Sequence, residues 1–326
     1  MDYNILIPLT WLYGLGVGIR NKLFDCGMLK SQSFPIPVID VGNLTIGGTG
    51  KTPHTEYLIR LLRKEYRVAI LSRGYKRKSK GFVLATPDTP MPQIGDESYQ
   101  MKQKFPDIIV AVDADRCHGI SQLLTLADKP EVIILDDAFQ HRYVKPGLNI
   151  CLMDYNRPIY NDRMLPAGRL REPQSSIQRA DIVIVTKCPS AITQAEKDSI
   201  KHNLHLATTQ QLYFSTFIYP ESIACDISDN PLLVTGIASP QQMITDLHKV
   251  IPQFEVMSFA DHHNFTDKDI ADIRKRAEGR TILTTEKDAT RLPKLDNMKV
   301  IPVEVEILGD KKAEFDKLIE THITKR

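Results

Sequence analysis

Cysteine is scarce in this sequence and forms no recognisable pair. The five cysteines are an odd number, lie far apart and include no C-x-x-C spacing. Such scattered residues are typical of reduced, mostly buried thiols in a cytoplasmic protein and do not indicate a disulfide framework. The spacing also offers no zinc site, because structural zinc sites usually use closely spaced pairs of cysteine or histidine.

A large net charge and a long apolar run are absent as well. The net charge is +2, so the chain as a whole has no strong attraction to nucleic acid. The uncharged run at 5–19, ILIPLTWLYGLGVGI, has fifteen residues, too few to span a bilayer, and its flanks do not fit a secretory signal. Two interpretations stay open. The run forms either a helix in a membrane interface, anchored by Trp11, Tyr13 and the cations that follow, or a helix packed on its own domain.

The apolar pattern of the remaining chain is that of an α/β protein. Its 326 residues exceed a comfortable single core, so two domains are expected. Short apolar segments alternate with helical patterns and lie at 37–43, 68–72, 108–112, 132–137, 149–154 and 181–187. That alternation predicts a parallel sheet covered on both faces.

A second alternation of strands and helices begins near residue 231, after a stretch without a good helix pattern. We therefore predict an N-terminal helix at 1–30, which would be the membrane-interfacial segment. A nucleotide-binding domain at 31–215, a linker at 216–230 and a smaller α/β domain at 231–326 complete the predicted organisation. A cleft between two such domains is a usual place for a ligand site.

The segment TIGGTGKTP at 45–53 has the features of a phosphate-binding loop. A predicted strand leads into it, three glycines can turn their N–H groups toward phosphate, and a predicted helix begins behind it. Lys51 would reach the β- and γ-phosphates, and the Thr52 hydroxyl would ligate Mg²⁺. The loop starts unusually, because Thr45 stands where the common pattern has glycine.

Such a loop needs a carboxylate for the metal, and the strand VIILDD supplies Asp136 and Asp137. Ile46 stands where some related ATPases carry a second lysine, which argues against a switch ATPase activated by a partner. Pro189 in TKCP replaces the aspartate with which many GTP-binding proteins read guanine. ATP is therefore the expected nucleotide.

Several polar clusters outside the loop could bind or activate a phosphate acceptor. They are SRGYKRKSKG at 72–81, GDES at 95–98, DDAFQHR at 136–142, LPAGRLREP at 165–173 and ADHHNF at 260–265. The basic cluster is either a solvated surface or a site for an anionic substrate or lipid headgroups. A histidine beside an acid, as in ADHHNF, is a good proton-accepting unit.

These clusters, together with VGNLTIGGTGKTP and TEKDATRLP, resemble the tetraacyldisaccharide 4′-kinases, the lipid A 4′-kinases of Gram-negative bacteria. The matching motifs occur in family order between residues 41 and 293. The resemblance implies a two-domain P-loop fold with nucleotide and acceptor in the cleft between the domains. It implies ATP- and Mg²⁺-dependent phosphorylation of the 4′-hydroxyl of a tetraacylated glucosamine disaccharide 1-phosphate. It also implies peripheral attachment to the cytoplasmic face of the inner membrane, without nucleic acid or an obligate protein partner.

The resemblance also assigns roles to residues at matching positions. Asp96 would accept the proton of the sugar hydroxyl, His262 would orient and tune Asp96, and Lys51 would stabilise phosphate charge. The nucleotide-binding positions are Thr45, Ile46, Gly47, Gly48, Thr49, Gly50, Lys51 and Thr52. The implied metal-binding residues are Thr52, Asp136 and Asp137. Positions around the acceptor and the nucleotide are matched by Tyr75, Arg116, Gln140, His141, Arg171 and Glu172.

Two other functions are compatible with parts of the pattern. A membrane-tethered P-loop regulatory ATPase would hydrolyse ATP without a lipid acceptor and bind a partner. A soluble small-molecule kinase would use residues 1–30 as part of its core, so that deleting them would unfold the protein. The many polar residues outside the loop favour the lipid kinase over the regulator.

Overall fold

The computed structural model describes residues 6–225, 227–237, 240–261 and 263–324, which form two sheets with flanking helices. The strands are β1 (Val38–Asn43), β2 (Val68–Ser72), β3 (Val83–Leu84), β4 (Ile109–Val112), β5 (Val132–Asp136), β6 (Leu148–Asp154), β7 (Ile182–Thr186), β8 (Gln211–Ile218), β9 (Leu232–Thr235), β10 (Glu255–Ser258), β11 (Ile282–Thr285), β12 (Met298–Ile301) and β13 (Glu304–Ile307). The α-helices are α1 (Ile7–Asp25), α2 (Lys51–Leu62), α3 (Met91–Ile94), α4 (Asp96–Lys104), α5 (Arg116–Leu123), α6 (Gln194–Leu204), α7 (Gln241–Leu247), α8 (Asp267–Ala277), α9 (Glu286–Ala289) and α10 (Lys312–Thr324).

The larger sheet has nine strands in the order β13-β8-β7-β6-β1-β5-β2-β4-β3. Neighbouring strands from β8 to β4 are parallel, whereas the edge strands β3 and β13 are antiparallel to their partners. Every residue of β1, β2, β5 and β7 is buried, as expected of parallel strands with both faces covered. The predicted parallel sheet is confirmed.

Strand β1 is held from both faces of this sheet. Successive strand residues point to opposite faces, so Ile39 packs in the same cluster as Leu58 of α2, while Val38 packs in the cluster of Ile120 of α5. Because β1 is also the central strand, its carboxyl end is a rigid starting point for the loop that follows.

The smaller sheet is fully parallel and has the order β10-β9-β11-β12. Met243 and Leu247 of α7 pack in one apolar cluster with β9 and β11, and Ile273 and Ala277 of α8 pack in another. The predicted second, smaller α/β unit is therefore present.

The end of the chain returns to the larger sheet. Strand β13 pairs with β8, and Phe315, Ile319 and Ile323 of α10 lie in the same apolar cluster as α2. These three residues recur at helical spacing and need an apolar surface, which the large sheet provides beside α2. The division into domains stays a prediction, but 304–324 do not lie with the small sheet, to which we assigned 231–326.

Helix α1 packs with one side and exposes the other. Its exposed apolar side chains are Leu9, Trp11, Leu12, Tyr13, Leu15 and Ile19. On the packed side, Arg20 donates to the Gln140 carbonyl at 2.9 Å, and the Asn21 carbonyl accepts from Arg142 at 2.9 Å. In the described part of the chain, no helix combines the length and apolar character needed to span a membrane.

Candidate active site

The loop after β1 is fixed by its own backbone and by side chains at the ends of β1 and β7. Gly47 and Gly50 have φ angles of 111° and 88°, which favour glycine. The Asn43 side chain donates to the Thr49 hydroxyl at 2.7 Å, and the Thr186 hydroxyl donates to the Thr49 carbonyl at 2.8 Å. The loop shape therefore depends on the ends of β1 and β7 as well as on its glycines.

A buried histidine that we did not predict supports the loop from behind. His54 Nδ1 lies 2.8 Å from the Gly50 carbonyl oxygen, and its Nε2 lies 2.9 Å from the Ser215 hydroxyl. Because a carbonyl only accepts, Nδ1 must donate, and Nε2 is left to accept from Ser215. Burial lowers the pKa of His54 to about 4, which keeps this neutral form.

The two aspartates at the end of β5 have opposite electrostatic surroundings. Burial alone would raise the pKa of Asp137, but Lys51 and Arg171 lower it to about 2. Arg171 donates to both carboxylate oxygens at 3.1 and 2.7 Å, and Lys51 Nζ lies 3.7 Å from Oδ1. Burial, followed by the charges of Glu97 and Asp137, raises the pKa of Asp136 to about 7. Asp137 is thus held as an anion by two cations, whereas burial and neighbouring carboxylates outweigh the cations near Asp136.

Asp40 lies behind this turn and holds its backbone. Its Oδ1 accepts from the Ala138 N–H at 3.1 Å, directly after the two aspartates. Burial and the charge of Asp137 raise the pKa of Asp40 to about 8. We did not predict a role for Asp40, because it lies inside a strand whose sequence is otherwise typical of a buried core.

A cavity of about 900 Å³ opens beside the loop and takes its walls from both sheets. From the large sheet it includes 45–53, Asp136, Asp137, Arg171 and Lys187. From the small sheet and its loops it includes Ile237, Gln242, Met243, Asp261, Thr285, Glu286, Lys287 and Ile301. All eight predicted nucleotide-binding residues and the three predicted metal-binding residues thus line one space.

The predicted acceptor residues divide into two groups. Tyr75, Arg116, Gln140, His141 and Arg171 line the cavity. Glu172 is only 1% exposed and is not among the described lining residues. It forms ion pairs with Arg179 and, at 4.0 Å, with Arg20. Because Glu172 follows Arg171 directly, these pairs hold the backbone next to Arg171.

Asp96 begins α4 and forms an ion pair with Arg291, which follows α9 in the small-sheet unit. Only 6% of the Arg291 side chain and 13% of the Asp96 side chain are exposed. Arg291 Nη1 also lies 3.7 Å from Asp288, a fully buried carboxylate that accepts from the Gly236 N–H at 2.9 Å. Arg291 is a residue that we missed, although it lies in the quoted motif TEKDATRLP. The predicted partner of Asp96, His262, lies outside the described residues.

A second ionic contact joins the same two parts of the molecule. Lys104 of α4 lies 2.6 Å from the buried Glu56 of α2 and also pairs with Glu286, the first residue of α9. Gln100 donates to the other Glu56 oxygen at 3.1 Å. Helix α4 is therefore attached to both units, with Asp96 at one end and Lys104 at the other.

Comparison with known proteins gives one consistent family. A family model described as tetraacyldisaccharide-1-P 4′-kinase matches residues 3–324. Tetraacyldisaccharide 4′-kinases of Phocaeicola vulgatus and Bacteroides fragilis are 54% and 50% identical, covering 98% and 96% of this chain and 95% and 91% of their own length. The crystal structure of LpxK from Aquifex aeolicus in complex with ATP superposes with a TM-score of 0.77 at 33% identity, over 99% of this chain and 100% of that one.

Proposed function

The chain belongs to the tetraacyldisaccharide-1-P 4′-kinase family, and on that basis we propose its reaction. It transfers the γ-phosphoryl group of ATP to the 4′-hydroxyl of a tetraacylated glucosamine disaccharide 1-phosphate. The observation that carries this proposal is the cavity of about 900 Å³, which joins a phosphate-binding loop to polar side chains of a second unit. One wall suits a nucleotide, and the remaining space suits an acceptor.

Residues 45–52 would hold the nucleotide phosphates with loop N–H groups and the Lys51 ammonium. Lys51 lies 3.7 Å from Asp137, so its charge is already placed between the loop and the acidic turn. Phosphoryl transfer depends mainly on positioning and on stabilising charge at the transferred group, and Lys51 and Arg171 supply that charge here.

Thr52, Asp136 and Asp137 fit a Mg²⁺ ion. Asp136 Oδ1 is buried and has no hydrogen-bond partner among the described residues, an arrangement that a cation would relieve. Oxygen donors are those that Mg²⁺ prefers. When bound, the ion would offset the negative charge of the phosphates.

For the acceptor, Asp96 is the proposed proton acceptor and His262 its orienting partner. Asp96 is held by Arg291, and it is Glu97 rather than Asp96 that lines the cavity in this structure. Access of a sugar hydroxyl to Asp96 therefore requires a small rearrangement at the contact between α4 and the segment after α9. Tyr75, Arg116, Gln140 and His141 would surround the acceptor or its phosphate.

We place the protein peripherally on the cytoplasmic face of the inner membrane. Trp11, Leu12 and Leu15 of α1 are 77%, 67% and 61% exposed and form an apolar surface on this helix. The Tyr13 hydroxyl donates to the Arg171 carbonyl at 2.9 Å, so this surface is tied to the segment that carries Arg171. A lipid acceptor could thus reach the cavity while its acyl chains stay in the membrane.

The decisive experiment follows label from [γ-³²P]ATP in mixed micelles, with and without the disaccharide 1-phosphate lipid. We expect Mg²⁺-dependent label in the lipid, lost in Lys51→Ala and kept in the control Lys64→Ala, which changes an exposed lysine of the segment after α2. Free phosphate released equally with and without lipid would instead support a regulatory ATPase.

A further inference from the structure

Three side chains of metal-binding type meet beside the active-site cavity but outside the phosphate-binding loop. Asp115 and Cys117 lie at the start of α5, and His141 lies in the segment after β5. One carboxylate oxygen, the thiol sulfur and one ring nitrogen all lie within 4.8 Å of one another. No other group of three such residues this close occurs in the part of the chain that the structure describes.

One possible donor atom of this cluster is buried and is not used by the fold. His141 Nε2 is buried and has no hydrogen-bond partner within the described ranges. Asp115 caps α5 through Oδ1, which accepts from the N–H groups of Cys117 at 2.9 Å and His118 at 3.2 Å. That cap leaves the second carboxylate oxygen available. A buried polar atom without a partner is unfavourable, so a ligand that binds His141 Nε2 would remove that unfavourable term.

The donor set selects the class of ligand. Sulfur and imidazole nitrogen favour Zn²⁺ or Co²⁺ over Mg²⁺, which prefers oxygen. Burial and the nearby Arg116 charge lower the pKa of His141 to about 4, so its ring is neutral and able to ligate. Carboxylate and thiolate together supply two negative charges, which a divalent ion needs so close to Arg116.

The same surroundings argue against a different use of Cys117. Burial, followed by the charge of Asp115, raises the pKa of Cys117 to about 11. The thiol is then protonated and a poor nucleophile, whereas a bound metal ion displaces its proton.

We propose that Asp115, Cys117 and His141 form a site for a borderline-soft divalent cation such as Zn²⁺, with water as a fourth ligand. Tetrahedral zinc bonds of about 2.0–2.3 Å bring donor atoms to within roughly 3.8 Å of one another. Rotation of the exposed Asp115 and the half-buried Cys117 side chains can close the remaining gap. Cysteine spacing does not reveal this site, because strand β5 separates Cys117 from His141 in sequence.

The test is a Co²⁺ titration of the full-length chain, read by absorption. We expect a thiolate-to-cobalt band in the near ultraviolet, which Zn²⁺ removes and excess Mg²⁺ does not. Cys117→Ser should abolish the band and weaken Co²⁺ binding at least about tenfold. Loss of a residue that only hydrogen-bonds to a metal ligand already lowers metal affinity by about that factor. Cys26→Ser, at an exposed cysteine after α1, should change neither.

A second variant keeps the test valid if Cys117→Ser folds poorly. Asp115→Asn retains an oxygen that can cap α5 but loses the charge, so it should weaken Co²⁺ binding and leave the thiolate band in place at saturation. A wild-type chain without a thiolate band at millimolar Co²⁺, or a band that survives Cys117→Ser, would overturn the site.

Discussion

The phosphate-binding centre and the contact between Asp96 and Arg291 are built in different ways. In the first, Lys51, Asp137 and Arg171 all belong to the large-sheet unit, and their ion pairs lie within it. In the second, Asp96 belongs to α4 beside the large sheet, while Arg291 follows α9 of the small-sheet unit. The first centre exists whenever one unit is folded, whereas the second exists only while the two units meet.

This difference separates two tasks of a kinase. Binding a nucleotide needs a rigid set of charges, and a single well-packed sheet provides it. Positioning an acceptor and its proton-accepting group needs a space that can open and close, and a contact between two units provides that. We therefore expect changes in the first region to affect every step and changes in the second to affect transfer more than ATP binding.

The largest effect should come from breaking the first region with Asp137→Asn. Lys51 and Arg171 would lose their shared anion, and the proposed metal ion would lose a ligand. Lipid phosphorylation should fall about 10³-fold, the upper range for removing one group that stabilises transition-state charge. Asp128→Asn, at an exposed aspartate after α5, is the matched control and should be neutral. Turnover within tenfold of wild type would contradict the assignment of Asp137.

Asp96→Asn breaks the second region. If Asp96 is the proton acceptor that we propose, kcat should fall roughly 10²-fold or more, as is usual for acid–base groups. The dissociation constant for ATP, measured with a fluorescent analogue, should stay within about twofold, because Asp96 lies outside the loop. Asp88→Asn changes an exposed aspartate before α3 and serves as control. An equal loss of ATP binding and turnover would show that the two regions are not separable.

The loop and the acidic turn of the first region were predictable from the sequence, whereas Arg171 was assigned only through the family resemblance and the Asp96–Arg291 contact was not predicted. Residues 45–52 are contiguous, Asp136 is the last residue of β5 next to β1, and Asp137 follows it directly, so periodicity and motif spacing predict this group. Arg291 and Asp96 are 195 positions apart, and no local pattern pairs them. For the same reason we did not predict the hydrogen bond between His54 and Ser215 or the pairing of β13 with β8. Each depends on tertiary packing rather than on residues that are neighbours in sequence.

Arg291→Gln sharpens the comparison, because it removes the charge that pairs with Asp96 from the other unit and leaves the Lys104–Glu286 contact in place. We expect kcat with the lipid to fall about tenfold while ATP affinity stays nearly unchanged, since the mostly buried Asp96 carboxylate loses the cation that holds it from the small-sheet unit. Arg291→Lys should recover most of the activity. Arg276→Gln is the control, because Arg276 pairs with Glu255 inside the small-sheet unit. A purely structural role predicts that both glutamine variants lower stability and that kcat per folded enzyme stays constant.

The smallest effect on turnover should come from Asp40→Asn, which tests how the first region is supported. Asparagine can still accept from Ala138, so activity near neutral pH should stay within about threefold. The pKa of Asp40 is about 8 in the folded chain and 3.8 when unperturbed, so the folded state binds more protons between these values. Its contribution to the free energy of unfolding therefore falls as pH rises toward 8. Between pH 6 and pH 8, the free energy of unfolding measured in urea should therefore increase for the variant, relative to wild type, by on the order of 2 kcal/mol. Asp198→Asn, at an exposed position of α6, should show no such gain, and a pH-independent difference for Asp40→Asn would mean that this carboxyl is ionised in the folded protein.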